Sequence, residues 1–346
     1  MSDHSPAAGL TTERSEHDFS AGGDVLERMA LVARQALQAY DADPGARVEL
    51  INVSENATFV AEGPELGRAI LRVHRLGYHD FNAIESELAW MRALRNEAGI
   101  STPAVLPARD GQQVVTVTDP VNGVARHCVV FELLPGSEPA QDDASRFEEL
   151  GALTARMHRH ARTWDRPKGF RRFNWDVDAA FGVAPRWGHW RDGAGVGPDE
   201  LEVLGRLEQT ITQRLAAFGA EPDRFGLIHA DTRLANLLVE NDQVSVIDFD
   251  DCGFGWFLYD LGTSVSFFEH EAHVPTLIDH WLRGYRSESE LSAADEDEIW
   301  TFIMLRRLLL VAWIGTHGAV DVARELGAGY TQQSCELAER YLGRYG

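Results

Sequence analysis

Three oxygen-bearing side chains between residues 231 and 248 are spaced to act on one phosphate. In HADTRLANLLVENDQVSVIDFDD, Asp231 lies two residues after His229, Asn236 five residues after Asp231, and Asp248 at the far end of an apolar run. Leu237–Val239 and Val244–Ile247 read as short strands joined by a polar turn through Asn241-Asp242. Such a hairpin returns Asp248 to the side of Asn236. Carboxylates beside buried strands are costly unless something occupies them. Mg²⁺ takes oxygen ligands, typically one or two protein carboxylates, with phosphate and water completing the octahedron. Asn236 and Asp248 are therefore candidate metal ligands. Asp231, about one turn away, is free to accept a proton from a substrate hydroxyl. The order H-x-D-x-x-x-x-N followed by D-F is a phosphoryl-transfer pattern.

The elements that must position these groups fall into two sets. Residues 24–40 have helical spacing (Met29, Val32, Ala36, Tyr40) with Asp24 as the expected N-cap. RVELINVSENATFVAEG reads as two strands with a turn at Ser54-Glu55-Asn56, and GRAILRVHR as a third. DFNAIESELAWMRALRNEAG is a helix with Ile84, Leu88, Met91 and Leu94 on one face and Gly99 past its end. QQVVTVTD and RHCVVFELLPG complete a set of about five strands. Beyond Pro135-Gly136 the pattern turns helical: a capped amphipathic helix in DDASRFEELGALTARMHRHA, a tryptophan-rich loop at 163–198, and helices at 199–218 and near 260–270, 272–286, 295–315 and 319–342. The expected organisation is a tail over 1–23, a β-rich lobe over 24–134 and a helical lobe over 135–346.

The chain of 346 residues is long enough for two lobes. A formal charge of −22 disfavours nucleic acid and anionic membranes as partners and suits a cationic small molecule, or serves solubility alone. Cys128, Cys252 and Cys335 are odd in number, far apart and free of any C-x-x-C pair, which fits no disulfide framework or zinc site and points to a reducing cytoplasm. FIMLRRLLLVAWIG, interrupted by Arg306 and Arg307, reads as a core helix too short to cross a bilayer. Nothing in the sequence fixes an oligomeric state.

LIHADTRLANLLVENDQVSVIDFDDCGFGWFLYDLG resembles the core of the aminoglycoside phosphotransferase superfamily, which includes choline kinases, fructosamine kinases and type II homoserine kinases. The resemblance runs from about residue 48. It implies an α+β, bilobal, protein-kinase-like fold with a small β-rich N-lobe, a larger helical C-lobe, and ATP with Mg²⁺ between them. By the same resemblance Asp231 is the catalytic base, Asn236 and Asp248 hold magnesium, and Asp260 braces the catalytic loop through backbone N–H groups. His229 is implied as a second brace. Backbone groups from Glu132 to Leu134 would meet adenine.

Some positions depart from the usual pattern. A kinase needs a cation on the phosphates, usually a lysine of the third strand. The only lysine here is Lys168, far along the chain, and Arg72 stands at the matching position. Arg binds phosphate oxygens bidentately and stays charged. Its holding carboxylate is expected to be Glu87, with Glu85 as the alternative. No glycine-rich loop exists; Ser54 and Asn56 either donate to phosphate or form an ordinary turn. Arg233 either stabilises the transferred phosphoryl group or makes a salt bridge within its loop.

Candidate acceptor contacts are Asp250, Asp251, Glu269, His270, Arg306 and Trp313, with Trp187 and Trp190 from the loop. The acids suit an ammonium group, which favours an amino alcohol, homoserine or an aminoglycoside. A charge on an apolar helix needs a partner, so Arg306 binds either a substrate carboxylate or a core acid. The expected activity is ATP- and Mg-dependent transfer to a hydroxyl of a small amine-bearing molecule. A protein Ser/Thr kinase of the same fold and an inactive nucleotide-binding module are the alternatives. The former lacks an A-P-E signature.

Overall fold

The computed structural model describes residues 22–40, 45–53, 56–318 and 320–346. Ser54, and the tail expected over 1–23 as far as residue 21, lie outside them.

Helix α1 (Gly22–Leu37) leads into strands β1 (Arg47–Val53), β2 (Ala57–Gly63) and β3 (Gly67–Val73), then α2 (Phe81–Glu97), β4 (Val105–Leu106), β5 (Val115–Thr118) and β6 (Ala125–Glu132). The sheet is antiparallel and six-stranded, ordered β1-β2-β3-β6-β4, with β5 also paired to β6. The sequence suggested five strands; β4, two residues long, is too short to show a period. Asp24 lies inside α1, whose first described residue is Gly22, so it is not the N-cap of this helix. Helix α2 starts where Asp80 Oδ1 accepts from Ala83 N (2.9 Å) and stops before Gly99, at φ +64°.

The second part comprises α3 (Ala144–Thr163), β7 (Asn174–Trp175), α4 (Val177–Phe181), α5 (Pro198–Phe218), β8 (Phe225–Ile228), β9 (Leu237–Glu240), β10 (Gln243–Val246), β11 (Gly253–Trp256), α6 (Phe257–Ser264), α7 (Val274–Glu288), α8 (Ala293–Glu296), α9 (Ile299–Thr316) and α10 (Asp321–Tyr345). Asn241 (φ +48°) and Asp242 (φ +62°) give the β9–β10 hairpin the double left-handed turn that suits strand twist. Helix α6 ends at Ser264, short of the expected 270, because the chain turns through Phe267 at φ +77°. Helices α3 and α7 cross so closely that a Cβ at Gly151 or Gly284 would collide with the opposing backbone.

Two apolar clusters follow from β6. Alternate residues point to opposite faces of a strand. Cys128 and Val130 join α1 (Met29, Val32, Ala36), Phe59 and Leu71 in one cluster. Val129 and Phe131 join α2 (Ile84, Leu88, Leu94) and the helical part in the other. Helix α2 thus shares its core with the second part of the chain. Helix α9 lies in a 24-residue stretch, Ala293–Thr316, that has the length and composition of a membrane span. Its side chains are buried inside the protein, so burial and not length marks it as a core helix.

Candidate functional site

The loop between β8 and β9 is held open by its neighbours. Asp260, fully buried in the first turn of α6, accepts from His229 N (3.2 Å) and Ala230 N (2.7 Å). Ala230 has φ +66°, a strain that persists only where the surroundings dictate it. Thr232 Oγ1 donates to Asp260 O (2.7 Å). The His229 ring spans the loop: Nδ1 accepts from Asp231 N (3.2 Å) and Nε2 donates to Ile247 O (3.1 Å). His158 Nε2, 3.0 Å from Asp260 Oδ2, completes this buried support. Its 102-residue separation from Asp260 left no sequence signal.

Both oxygens of Asp231 have protein partners, with one acceptor position left on Oδ1. Oδ1 accepts from Arg306 Nη2 (2.6 Å), and Oδ2 from Arg233 Nε (3.1 Å) and Asn236 Nδ2 (2.7 Å). Burial opposes its charge, but the guanidiniums of Arg233 and Arg306 hold the carboxyl below the usual range. Arg233 is thus in the intra-loop salt bridge. Arg306 is 2 % exposed and has all three nitrogens committed, with Nε to Ser266 Oγ (3.1 Å) and Nη1 to Tyr259 OH (3.4 Å).

Across the cleft, Arg72 Nη2 donates to Glu87 Oε1 (2.6 Å), and Nη1 lies 3.4 Å from Asp248 Oδ1. Glu87 is buried whereas Glu85 is exposed, so the partner is Glu87. Burial opposes the Arg72 charge, and Glu87, Asp250 and Asp248 more than offset it. Asp248 (φ +58°) sits deep between the two parts of the chain yet keeps 48 % of its side chain open. Reduced solvation there, with the Asp250 and Asp231 charges, lifts its carboxyl above the usual range against Arg72. Asn56 does not point a free amide oxygen at this cleft: its Oδ1 accepts from Arg75 N (3.1 Å). Glu132 N donates to Ala104 O (2.8 Å), which commits that amide to the sheet.

The remaining sequence candidates divide. Asp251 Oδ1 accepts from Tyr78 OH (2.5 Å), and loss of solvent together with the Asp231 and Asp250 charges pushes its carboxyl up to about 6. Asp250 is 5 % exposed; neither oxygen accepts a hydrogen bond from the described residues, while His74 Nδ1 and His79 Nε2 stand 3.6 and 3.7 Å from Oδ1. Glu269 is a correction. It is buried in the helical core, with Oε2 on Arg307 Nη1 (2.5 Å) and Oε1 on Tyr330 OH (2.9 Å), and at 1 % exposure it is closed to a substrate. Trp313 is 8 % exposed and stacks on His317. Trp187 lies beneath the Arg306 guanidinium (5.0 Å), and buried Trp190 donates Nε1 to Glu208 Oε2 (2.5 Å). His270 Nε2 is 3.5 Å from Glu271. Sequence reasoning missed Tyr78 and Arg172, both in loops without a period.

Residues 48–296 match the phosphotransferase enzyme family. A solved structure of a microcompartment-associated aminopropanol kinase is 48 % identical, covers 91 % of this chain and 98 % of its own, and superposes with a TM-score of 0.85. The homoserine kinase of Gluconobacter oxydans is 27 % identical over 296 residues, 79 % of this chain and 88 % of that protein. The amicoumacin kinase hAmiN, solved with AMP-PNP, Ca²⁺ and Ami, is 24 % identical, covers 92 % of this chain and 95 % of its own, and has a TM-score of 0.72, a likeness of fold.

Proposed function

The chain belongs to the phosphotransferase enzyme family, with the α+β, protein-kinase-like fold of its relatives, and on that footing we propose that it transfers the γ-phosphoryl group of ATP to the hydroxyl of a small amino alcohol. As a family member it is a small-molecule kinase with an alcohol as acceptor. The observation that carries the finer reading is the convergence on one cleft of a strand cation, Arg72, an open carboxylate, Asp248, and a loop carboxylate, Asp231.

In this reading Arg72 meets the nucleotide phosphates, oriented by Glu87. The hinge after β6 receives adenine through the Glu132 carbonyl and the Leu134 backbone. Asn236 spends Nδ2 on Asp231, which leaves Oδ1 as an oxygen for a cation, and Asp248 offers a partly open carboxylate. This pair of hard oxygen donors fits Mg²⁺. When bound, Mg²⁺ supplies charge neutralisation on the phosphates. Asp231 accepts a hydrogen bond from the acceptor hydroxyl, orients its oxygen in line with the γ-phosphorus, and takes the proton as the O–P bond forms and ADP leaves. A base held at low proton affinity works late, which suits a loose transition state where the hydroxyl proton is released after bond formation begins. Arg233, beside the same carboxylate, is placed to meet charge on the transferred group.

The acceptor's ammonium belongs at Asp251, whose carboxyl is raised first by burial and then by the Asp231 and Asp250 charges, and a cation beside it offsets both. Asp250 lies behind it. Homoserine differs in carrying a carboxylate. Arg306, with every nitrogen engaged, offers it no free donor. The 48 % identical relative, an aminopropanol kinase by name, supports the same choice.

The test is ADP release with Mg·ATP over 1-amino-2-propanol, ethanolamine, choline, homoserine, serine, threonine and several aminoglycosides, with Asp231→Asn protein as the blank. Turnover is expected with the amino alcohols. Turnover confined to homoserine would overturn the acceptor assignment, and full activity in the blank would overturn the base.

A further inference from the structure

Arg172 is a buried guanidinium that no part of the proposed reaction uses. It is 7 % exposed and lies in the loop before β7. Nε donates to Cys252 O (2.5 Å), Nη1 to Ala83 O (3.0 Å), and Nη2 to Asp250 O while lying 3.4 Å from His79 Nε2. Its hydrogen bonds therefore go to three backbone carbonyls rather than to a carboxylate. A buried charge is expensive and is retained when its geometry is good and its donors are satisfied.

What Arg172 joins is informative. Ala83 is in the first turn of α2, one turn before Glu87, the residue that holds Arg72. Asp250 and Cys252 follow Asp248 on the same segment. One planar fork thus spans the helix that orients the phosphate cation and the strand end that carries the open carboxylate. The neighbouring residue adds to the junction: Arg171 N donates to Ser86 Oγ (2.9 Å), and Arg171 Nη2 pairs with Asp80 (2.8 Å). Trp90 of α2 meets Phe249 edge-on with centroids 5.5 Å apart.

We infer that Arg172 is a positioning residue for phosphoryl transfer, fixing α2, and through Glu87 the Arg72 guanidinium, at a set distance from the Asp248 segment. The inference rests on the proposed kinase reading. A lysine keeps the charge but cannot reach three carbonyls from one rigid plane. A displacement of about 1 Å between reacting parts costs on the order of a hundredfold in rate.

The experiment is a double-mutant cycle of Arg172→Lys and Glu87→Gln. It measures kcat, the KM for each substrate and the Mg²⁺ concentration for half-maximal rate, with the thermal midpoint followed alongside. Arg172→Lys is expected to lower kcat by roughly tenfold to a hundredfold and raise the half-saturating Mg²⁺ severalfold, with the acceptor KM within about twofold. The combined loss is expected to fall short of the product of the single losses, because both changes release the same pair, Arg72 and Asp248. A multiplicative cycle, or an unchanged kcat and Mg²⁺ dependence in soluble Arg172→Lys protein, would overturn the inference. If Arg172→Lys does not fold, Ser86→Ala, which loosens the same junction from the helix side, enters the cycle with the same two outcomes. Absence of turnover in the unaltered enzyme over the acceptor panel is a different failure, that of the kinase reading itself.

Discussion

The two sides of the cleft are built on opposite plans. On the sheet side one cation, Arg72, is held by one buried acid, Glu87, and faces a carboxylate, Asp248, that is still half open. On the helical side one carboxylate, Asp231, is gripped by two guanidiniums and an amide, and its support extends through His229 and Asp260 into the core. The first arrangement keeps charge available for a ligand that arrives with its own charge. The second holds its reacting group at a fixed orientation before anything arrives, as catalysis by preorganised charge requires.

By this contrast, damage to the helical side strikes rate first. Asp231→Asn should lower kcat by about a hundredfold to ten-thousandfold, the range for removing a general base, with KM for ATP little changed; steady-state ADP release measures it. Arg306→Met should cost stability as well as rate, because breaking a buried pair costs about 3 kcal/mol or more; thermal unfolding checks the first and kcat the second. A melting curve identical to that of the unaltered protein would mean that the grip on Asp231 is made in the crowded interior at no gain.

Damage to the sheet side should appear in nucleotide binding as well as in rate. Glu87→Gln removes a charge-assisted hydrogen bond worth about 1.5–3 kcal/mol, so the KM for ATP should rise by roughly tenfold or more, with the acceptor KM unchanged. Isothermal titration with a non-hydrolysable ATP analogue separates this effect from rate.

The smallest effect sharpens the contrast through pH. The folded state holds the Asp251 proton up to about pH 6, above the unfolded value near 4. Through that interval the carboxyl subtracts from stability as pH rises, while its ionised form gains attraction for a cationic acceptor. Asp231, Asp250, Arg75 and the Tyr78 hydroxyl are the groups that set its potential. kcat/KM for the amino alcohol should therefore rise severalfold through about pH 6, with a slight fall in Tm, and Asp251→Asn should flatten both.

How much of this was legible in the sequence depended on distance along the chain. The β9–β10 hairpin, the helix bearing Glu87 and the strand bearing Arg72 announce themselves by period and turn residues, because local sequence dictates local backbone. The choice between Glu87 and Glu85 needed burial, which depends on what α2 packs against. Helix α2 falls with the sheet in chain order, yet it shares its core with the helical part. Arg306 was legible as a charge in need of a partner, but not its partner: Asp231 is 75 residues away. Glu269 looked like a free acid near the substrate for the same reason; Arg307 and Tyr330 reach it only in the folded helices. Arg172 sits in a loop whose tryptophans and turns have no period, so nothing marked it before its three carbonyls were in place.

The arginine on β3 also has a consequence for the laboratory bench. Reagents that tag a kinase by acylating the amine beside its bound nucleotide need a nucleophilic lysine there, and a guanidinium that stays protonated does not react. In this chain the sole side-chain amine is Lys168, exposed on a loop. Acyl-phosphate nucleotide probes should pass over this enzyme's cleft, and among side chains amine-directed dyes should attach at that one loop residue.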